Sequence, residues 1–369
     1  MNLAINKDQL LNGLQSVQNV VSTRTTLPIL SNVLLRAEGD RLELTATDLD
    51  VTISATVEAS VKEPGATTLP VKKLFGIVRE LTNSEIELSV NDKNVTSLRC
   101  GPSFFKIRGL GPEEFPPPPN FKDDKKVTLP QEKVRSMLRK TSYAISTDES
   151  RYVLNGIFIN LSDHKLTMVA TDGRRLAMAD EEVDISESSE GQFIVPSKAV
   201  NELNRLLTDK GEVEIRYTEN QAAFGLHDEQ GQRVALTTKL IEGNYPNYRQ
   251  VIPGETKERI PLSREEFMHA LRRVEIMTSD KQNSVKFALS KNCLAITANS
   301  PDVGEAQETM AINYKGKEMA IAFNPGYLID PLNNLSNDEV FLELIDELSP
   351  GVLKINGPFL YVVMPMRLS

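Results

Sequence analysis

The chain has 369 residues, of which 40% are hydrophobic and 25% charged, and its formal charge is −9. It is long enough for two or three domains of ordinary size and has the composition of a folded soluble protein. An acidic total speaks against a nucleic-acid binder unless the charge is unevenly spread.

Asn6-Lys7-Asp8, followed by Leu10, Leu11, Leu14 and Val17, opens the chain with an apolar stripe at helical spacing. Strands are predicted around 27–35 and 42–57. Thr67-Thr68-Leu69-Pro70 then leads into a second helix, with Val71, Leu74, Phe75, Val78 and Leu81 on one face and Lys72, Lys73 and Arg79 off it. Strands follow at 86–90, 96–100 and 104–107. The segment 111–120, GPEEFPPPPN, ends the unit. Four consecutive prolines can join neither a helix nor a ladder, so an extended linker is expected.

The same order then recurs. Leu129-Pro130-Gln131 starts a helix carrying Val134, Met137, Leu138 and Thr141 on one face, with strands at 153–161 and within 166–178. Ile194-Val195-Pro196 introduces a helix over 197–207, and strands return at 213–217, 221–226 and 234–239. Asn244-Tyr245-Pro246-Asn247-Tyr248 marks an exit toward a second linker near Pro253. A third round begins at Ile260-Pro261-Leu262-Ser263, where Ser263 and Glu266 fit a capping box. Phe267, Met268, Leu271 and Val274 give that helix its face. Ile321-Ala322-Phe323-Asn324 leads into a last helix with Leu328, Leu332 and Leu335, and 359–366 is the final strand.

Three copies of one module account for this order. LTMVATDGRRLAM at 166–178 reads as a strand, a tight Asp-Gly turn and a second strand that starts after two arginines, and it echoes LELTATDLDVTIS at 42–54 and, more weakly, LAITANSPDVGE at 294–305. Ala46, Ala170 and Ala298 head the three phrases, 124 and 128 residues apart. The second-helix entries at Thr68, Ile194 and Ile321 are 126 and 127 apart. Independent anchors sharing one period secure a repeat, with copies over 1–121, 122–252 and 253–369. Short alternating strands predict mostly antiparallel sheets covered on one face by two helices per copy, an α+β class.

Charge follows that division. The six predicted helices sum to +5, leaving −14 on the rest of the chain. Basic residues on an amphipathic helix are ordinarily a solvated face. If the copies curve about a common axis, however, the helices share one surface and form a modestly basic lining, able to hold a phosphate backbone without reading bases.

Catalysis finds little support. Asp48 and Asp172 are equivalent positions that could pair around a metal, but aspartate after threonine commonly starts a turn, and the third copy has Asn299 there. His164, His227 and His269 stand in unrelated contexts, and no GxSxG, HExxH or P-loop occurs. Cys100 and Cys293 form no CxxC or metal spacing and suggest buried thiols in a reducing cytoplasm. There is neither a basic-then-apolar leader nor a membrane-length apolar run. A non-enzymatic cytoplasmic protein without metal, cofactor or membrane partner is expected. The competing classes are a metal-dependent nucleic-acid enzyme using Asp48 and Asp172, and a repeat scaffold that binds peptides but no DNA.

The motifs Thr26-Leu27-Pro28-Ile29-Leu30, Leu154-Asn155-Gly156 and Ala170-Thr171-Asp172-Gly173, with the ending Tyr361-Val362-Val363-Met364-Pro365-Met366-Arg367-Leu368, resemble the bacterial sliding clamps, the beta subunits of DNA polymerase III. The resemblance spans the whole chain. It implies three clamp domains per subunit with helices inside and sheets outside, a half-ring closing as a head-to-tail homodimer around duplex DNA. It further implies a processivity factor that tethers the DNA polymerase III catalytic subunit, is opened by a separate clamp loader, and takes other polymerases and repair proteins through short clamp-binding peptides.

Carried over by position, the resemblance implies a partner-peptide pocket at Leu154, Thr171, Gly173, Arg174, Arg175, Leu176, Pro246, Val251, Val362, Met364, Pro365 and Met366. Such residues suit a deformable apolar cleft. Arg174 stands where the family commonly has histidine, and Gln250 where it commonly has arginine, which bears on peptide preference. The ring joint is implied at Phe105 and Ile107 against Ile276 and Met277 of a second copy, and DNA contact at Arg24, Lys72, Lys73, Arg151, Lys198 and Arg205.

Overall fold

The computed structural model describes residues 1–367 except 22–26, 83–84, 119–120, 122–124, 228–232, 255–257 and 280–282. Among these residues one motif, strand–helix–three-stranded meander, occurs six times. The first copy contains β1 (Asn2–Asn6), α1 (Lys7–Val17), β2 (Asn32–Glu38), β3 (Arg41–Thr47) and β4 (Val51–Glu58), with a short β5 (Ser60–Glu63). Its second half is β6 (Gly65–Pro70), α2 (Val71–Glu80), β7 (Glu85–Val90), β8 (Val95–Cys100) and β9 (Ser103–Arg108). The second copy runs β10 (Lys125–Pro130), α3 (Gln131–Thr141), β11 (Gly156–Ser162), β12 (Lys165–Thr171) and β13 (Arg175–Glu182). It continues with β14 (Gly191–Pro196), α4 (Ser197–Leu206), β15 (Glu212–Tyr217), β16 (Gln221–His227) and β17 (Arg233–Lys239). The third copy opens with β18 (Glu258–Ser263), α5 (Arg264–Glu275), β19 (Val285–Ser290), β20 (Cys293–Ser300) and β21 (Gly304–Ala311). It ends with β22 (Met319–Phe323), α6 (Pro325–Asn334), β23 (Glu339–Leu344), β24 (Gly351–Lys354) and β25 (Phe359–Val363).

Each leading strand runs straight into its helix and cannot fold back on its own meander. It pairs instead with the meander of the other half: β1 with β7, β6 with β2, β10 with β15, β14 with β11, β18 with β23 and β22 with β19. All of these ladders are antiparallel. Two further ladders cross copy boundaries. β4 pairs with β17 through Ile53 and Leu236, and β13 pairs with β25 through Leu176 and Val362. Two eight-stranded sheets result, alongside a five-stranded sheet ending at β9 and a four-stranded sheet ending at β21.

Packing groups the chain into two compact units, 1–135 with 198–240, and 136–197 with 241–369. In the first, Leu42, Leu44, Ile53 and Ala55 alternate inward along β3 and β4 and are fully buried under α1. Gly13 lets α1 approach closely, since a Cβ there would stand 2.9 Å from Leu44 Cδ1. α2 buries Val71, Leu74 and Val78, as its period requires, and leaves Lys72, Lys73 and Arg79 outside. In the second unit, Ser263 caps α5 by accepting the Glu266 N–H at 3.5 Å, and α5 packs Phe267 edge-on against Phe287. Asn324 caps α6, whose first turn accommodates Pro325.

Some expectations move. Pro28–Ser31 is a 3₁₀ turn and β2 starts only at Asn32. Val153 and Leu154 likewise close a 3₁₀ segment (Glu149–Leu154) ahead of β11. The stretch expected as linker begins with packed chain: Pro112–Glu114 form a 3₁₀ turn, and Phe115 is buried with Ile29, Leu30 and Leu34. An aromatic between prolines can still find a core. Among the described residues no helix is long and apolar enough to cross a membrane, and Cys100 and Cys293 form no disulfide.

Candidate functional site

The repeated Thr-Asp phrase is a four-residue loop, and β13, expected to start after the two arginines, begins at the second of them, Arg175. Thr171 pairs with Leu176 across residues 172–175. Asp172 Oδ1 accepts the N–H groups of Arg174 at 2.9 Å and Arg175 at 3.1 Å. Thr171 Oγ accepts the Gly173 N–H at 3.1 Å and donates to the Arg175 carbonyl at 2.5 Å. The first copy repeats this. Asp48 Oδ1 accepts from Asp50 and Val51 N–H at 3.1 and 2.8 Å, and Thr47 Oγ accepts from Leu49 N–H and donates to the Val51 carbonyl, both at 3.1 Å. In the third copy Asn299 lies within β20, opposite Glu305, and the chain reverses after Ser300 instead. Both aspartates therefore hold turns. Among the described residues no group of three or more His, Cys, Asp or Glu could hold a metal.

The second unit gathers most of the expected pocket residues around this loop. β25 lies beside β13, and Met364 N–H continues the contact by donating to the Arg174 carbonyl at 2.9 Å. Leu176 and Val362 belong to a buried cluster with Phe158, Val169, Ile194 and Tyr248, against which Val153, Tyr245 and Ile252 pack. Leu154, Pro246 and Val251 are outside that cluster but adjoin its packed members in sequence. Leu154 is buried, whereas Gly173, Arg174 and Pro246 are exposed and Pro365 is half-buried. Three apolar side chains are left in solvent, Val251 at 49%, Met364 at 43% and Met366 at 39%. Met366 N–H donates to the Ala322 carbonyl at 2.7 Å, which ties the terminal segment to the outer edge of β22. Gln250 is exposed beside Val251.

Arg175 anchors the loop from behind. Its Nε donates to Asp172 Oδ2 at 3.0 Å, its Nη2 donates to the Tyr143 carbonyl at 2.7 Å, and its Nη1 pairs with Asp330 on α6. The guanidinium faces the rings of Tyr143 and Tyr327, and Tyr361 donates its hydroxyl to the Tyr327 carbonyl at 2.6 Å. Burial pushes the Tyr143 and Tyr361 hydroxyls well above the usual phenol range. Sequence reasoning missed Tyr143, Tyr327 and Asp330, because each is an ordinary residue of an amphipathic segment. Tyr245 and Tyr248, read only as an exit marker, carried a visible signal: paired aromatics in a turn. They pack against Phe158 at 5.0 and 6.0 Å between ring centres.

The basic positions behave differently from one another. Lys72, Lys73, Lys198 and Arg205 lie in the first unit, Arg151 in the second, and Arg24 outside the described residues. Three of them converge on the C-terminal end of α1. Lys72 donates to the Gln18 carbonyl at 3.1 Å, Lys198 to the Val20 carbonyl at 3.5 Å, and Arg205 to those of Gln15 and Ser16 at 2.9 and 2.7 Å. Carbonyls at a helix C-terminus lack intrahelical partners and carry its negative dipole end, so cations are favoured there. Lys198 also pairs with Asp48, and Arg205 with Glu202. Arg151 Nη1 donates to the Asp172 carbonyl at 3.3 Å, over Gly173.

The four joint positions fall at sheet margins. Phe105 and Ile107 lie on one face of β9, the edge of the five-stranded sheet, with Phe105 half-buried and Ile107 buried. Ile276 caps the end of α5 with 74% of its surface exposed. Met277 is half-buried, and its Cε closes on Gly304 at the start of β21, the edge of the four-stranded sheet.

Comparison with known proteins accounts for the whole chain. Residues 1–119, 128–247 and 249–367 match, in order, the N-terminal, central and C-terminal domains of the DNA polymerase III beta subunit. Over 368 residues the chain is 36% identical to a beta sliding clamp of Chlamydia pneumoniae, covering 100% of this chain and 99% of that one. It is 35% identical over 375 residues to the beta sliding clamp of Pseudomonas aeruginosa, covering both chains completely. Among solved structures it superposes with a TM-score of 0.94 on a sliding clamp from Bartonella birtlesii bound to griselimycin, at 36% identity. The sliding clamp from Bacillus subtilis also gives 0.94, at 28% identity, and each comparison covers 100% of both chains.

Proposed function

The chain belongs to the DNA polymerase III beta-subunit family, the beta sliding clamps, and from that premise we propose that two copies close head to tail into a ring around duplex DNA. Its role is that of a DNA sliding clamp in replication, a non-catalytic processivity factor. In the ring each subunit supplies three domains, 1–121, 122–252 and 253–369, as a half-circle. The helices line the hole and the sheets face outward. The ring is held on DNA by topology, so it slides without reading sequence.

The observation that carries this reading is Ile276. A large aliphatic side chain left 74% exposed at the end of α5, next in sequence to Met277, which closes on the start of the open edge strand β21, calls for a cover. The other open edge, β9, carries Phe105 and Ile107. Joining β9 of one copy to β21 of another pairs two different surfaces, a heterologous contact that closes into a ring when the rotation permits.

The surface that carries Val251, Met364 and Met366 serves as the docking site for partners. Its exposed thioethers and valine suit leucine- or phenylalanine-bearing peptides of varied sequence. Through it the cytoplasmic ring takes the polymerase III catalytic subunit, the clamp loader, and other polymerases and repair proteins in turn. Lys72, Lys73, Arg151, Lys198, Arg205 and Arg24 supply the phosphate contacts. Retention on nicked circular DNA, followed by release on linearisation, tests the reading. A ring slips off an end, whereas a groove binder or a peptide scaffold does not respond to the cut. Retention on the linear form, or none on the circle after loading, overturns it.

A further inference from the structure

Two of the basic side chains assigned to the DNA surface already hold a carboxylate. Lys198 Nζ contacts Asp48 Oδ2, and Arg205 donates to Glu202 Oε2 through Nε at 3.0 Å and Nη2 at 2.6 Å. The carboxylates are the more buried partners, with Asp48 and Glu202 side chains 15% and 13% exposed against 45% and 32% for Lys198 and Arg205. Neither carboxylate is free to leave. Asp48 is pinned through Oδ1 by the N–H groups of Asp50 and Val51, which leaves Oδ2 for the lysine. Glu202 stands one helical turn before Arg205 on α4.

A lysine or arginine that neutralises a DNA phosphate releases the cation condensed on the duplex there, and this release produces a salt dependence of about 0.9 per contact in log–log form. A cation already neutralised by a carboxylate of the protein brings little net charge to a phosphate and so displaces little of that atmosphere. Phosphate must compete with a carboxylate that stays in place, so the contact adds little affinity and little salt dependence. We propose that Asp48 and Glu202 are tethered counterions that hold down the grip of Lys198 and Arg205 on duplex DNA, and so keep the loaded ring mobile. This rests on the reading that these two side chains face the duplex.

The substitution Asp48→Asn isolates the effect, because the amide oxygen keeps the turn hydrogen bonds and only the charge is lost. Binding of the intact protein to a fluorescent duplex is measured against salt, together with one-dimensional diffusion of loaded rings. Asp48→Asn is expected to raise affinity several-fold, steepen the salt slope by about 0.9 and slow diffusion. Glu202→Gln is expected to act in the same direction. In a Lys198→Gln background Asp48→Asn is expected to add nothing, because it acts through that lysine. An unchanged slope in Asp48→Asn, or an equal gain with and without Lys198, overturns the inference. Loss of affinity in Lys198→Gln with a silent Asp48→Asn overturns the inference but keeps Lys198 on the DNA surface. A silent Lys198→Gln removes Lys198 from that surface, and the inference falls with it.

Discussion

The Arg175 guanidinium lies 4.6 Å from the centre of the Tyr327 ring. The contact crosses a copy boundary, since Arg175 opens β13 in the second copy and Tyr327 sits on α6 in the third. With Asp330 on the same helix, Tyr327 joins α6 to the loop whose backbone receives Met364. A buried charge deprived of its partners costs more than the pair is worth, because the survivor stays desolvated. Arg175→Ala strands Asp172, 17% exposed, and Asp330, 41% exposed. We expect a loss of about 2–4 kcal/mol, below the value for a fully buried pair because Asp330 remains wet. Chemical denaturation measures it. Asp330→Asn is expected to cost less and, by loosening the loop, to weaken binding of a clamp-type peptide. An Arg175→Ala protein as stable as the parent would show that the network is ornamental.

In the proposed ring joint Ile276 is covered by the second copy. Aspartate there places an unpaired charge in an apolar contact. Ile276→Asp is expected to weaken the dimer by at least about 2 kcal/mol, about 30-fold in Kd. The fold of the subunit stays intact, because the side chain is already in solvent in the single chain. Sedimentation over a concentration series reads this directly. A variant that sediments as the parent does would move the joint elsewhere.

Met364 is exposed, and its N–H donates to the Arg174 carbonyl. Met364→Ala therefore removes contact area without opening a core. We expect peptide affinity to fall by about 1–2 kcal/mol, roughly 5- to 30-fold. Removing the last five residues, which takes away Met366 and its bond to Ala322, is expected to weaken it further while leaving the dimer unchanged. Fluorescence anisotropy with a labelled peptide and sedimentation give the two readouts. Undiminished peptide binding in either variant would sink the pocket assignment.

The periodic parts of this protein were readable in the sequence, and the parts set by one copy acting on the next were not. Val71, Leu74 and Val78 announce a helix face by their own spacing, and Leu42, Leu44 and Ala46 a strand by theirs. Nothing local says that Ile53 will lie beside Leu236, or Leu176 beside Val362, because those ladders depend on which edges remain open once each leading strand has crossed to the other half. The site divides in the same way. Met364 and Leu176 stand in recognisable phrases, whereas Asp330 and Glu202 carry no pattern and matter only for what faces them. The Thr-Asp phrase marked both the turn and, to within one residue, the strand that follows it. What it did not show is the Thr171 hydroxyl, whose bond to the Arg175 carbonyl closes the loop.

That loop, present twice, offers its own control. Leu49 takes φ +80° at the place where the second copy has Gly173 at +85°. Positive φ suits glycine and strains a side chain bearing a Cβ, by about 1 kcal/mol in this region. Leu49 is 45% exposed, so the burial it would lose is small. Glycine also raises the entropy of the unfolded chain, which offsets part of the gain. Leu49→Gly is therefore expected to be neutral or stabilising by up to about 1 kcal/mol, unlike most leucine deletions. Gly173→Leu is expected to destabilise by about 1–2 kcal/mol. Its Cβ would also stand 2.6 Å from Arg151 Nη1, although that side chain is exposed and can swing aside. Thermal unfolding of the two variants at one protein concentration decides the matter. If Leu49→Gly instead lost 2 kcal/mol or more, the exposed leucine would have to be packing against something, and strain would not be what distinguishes the two loops.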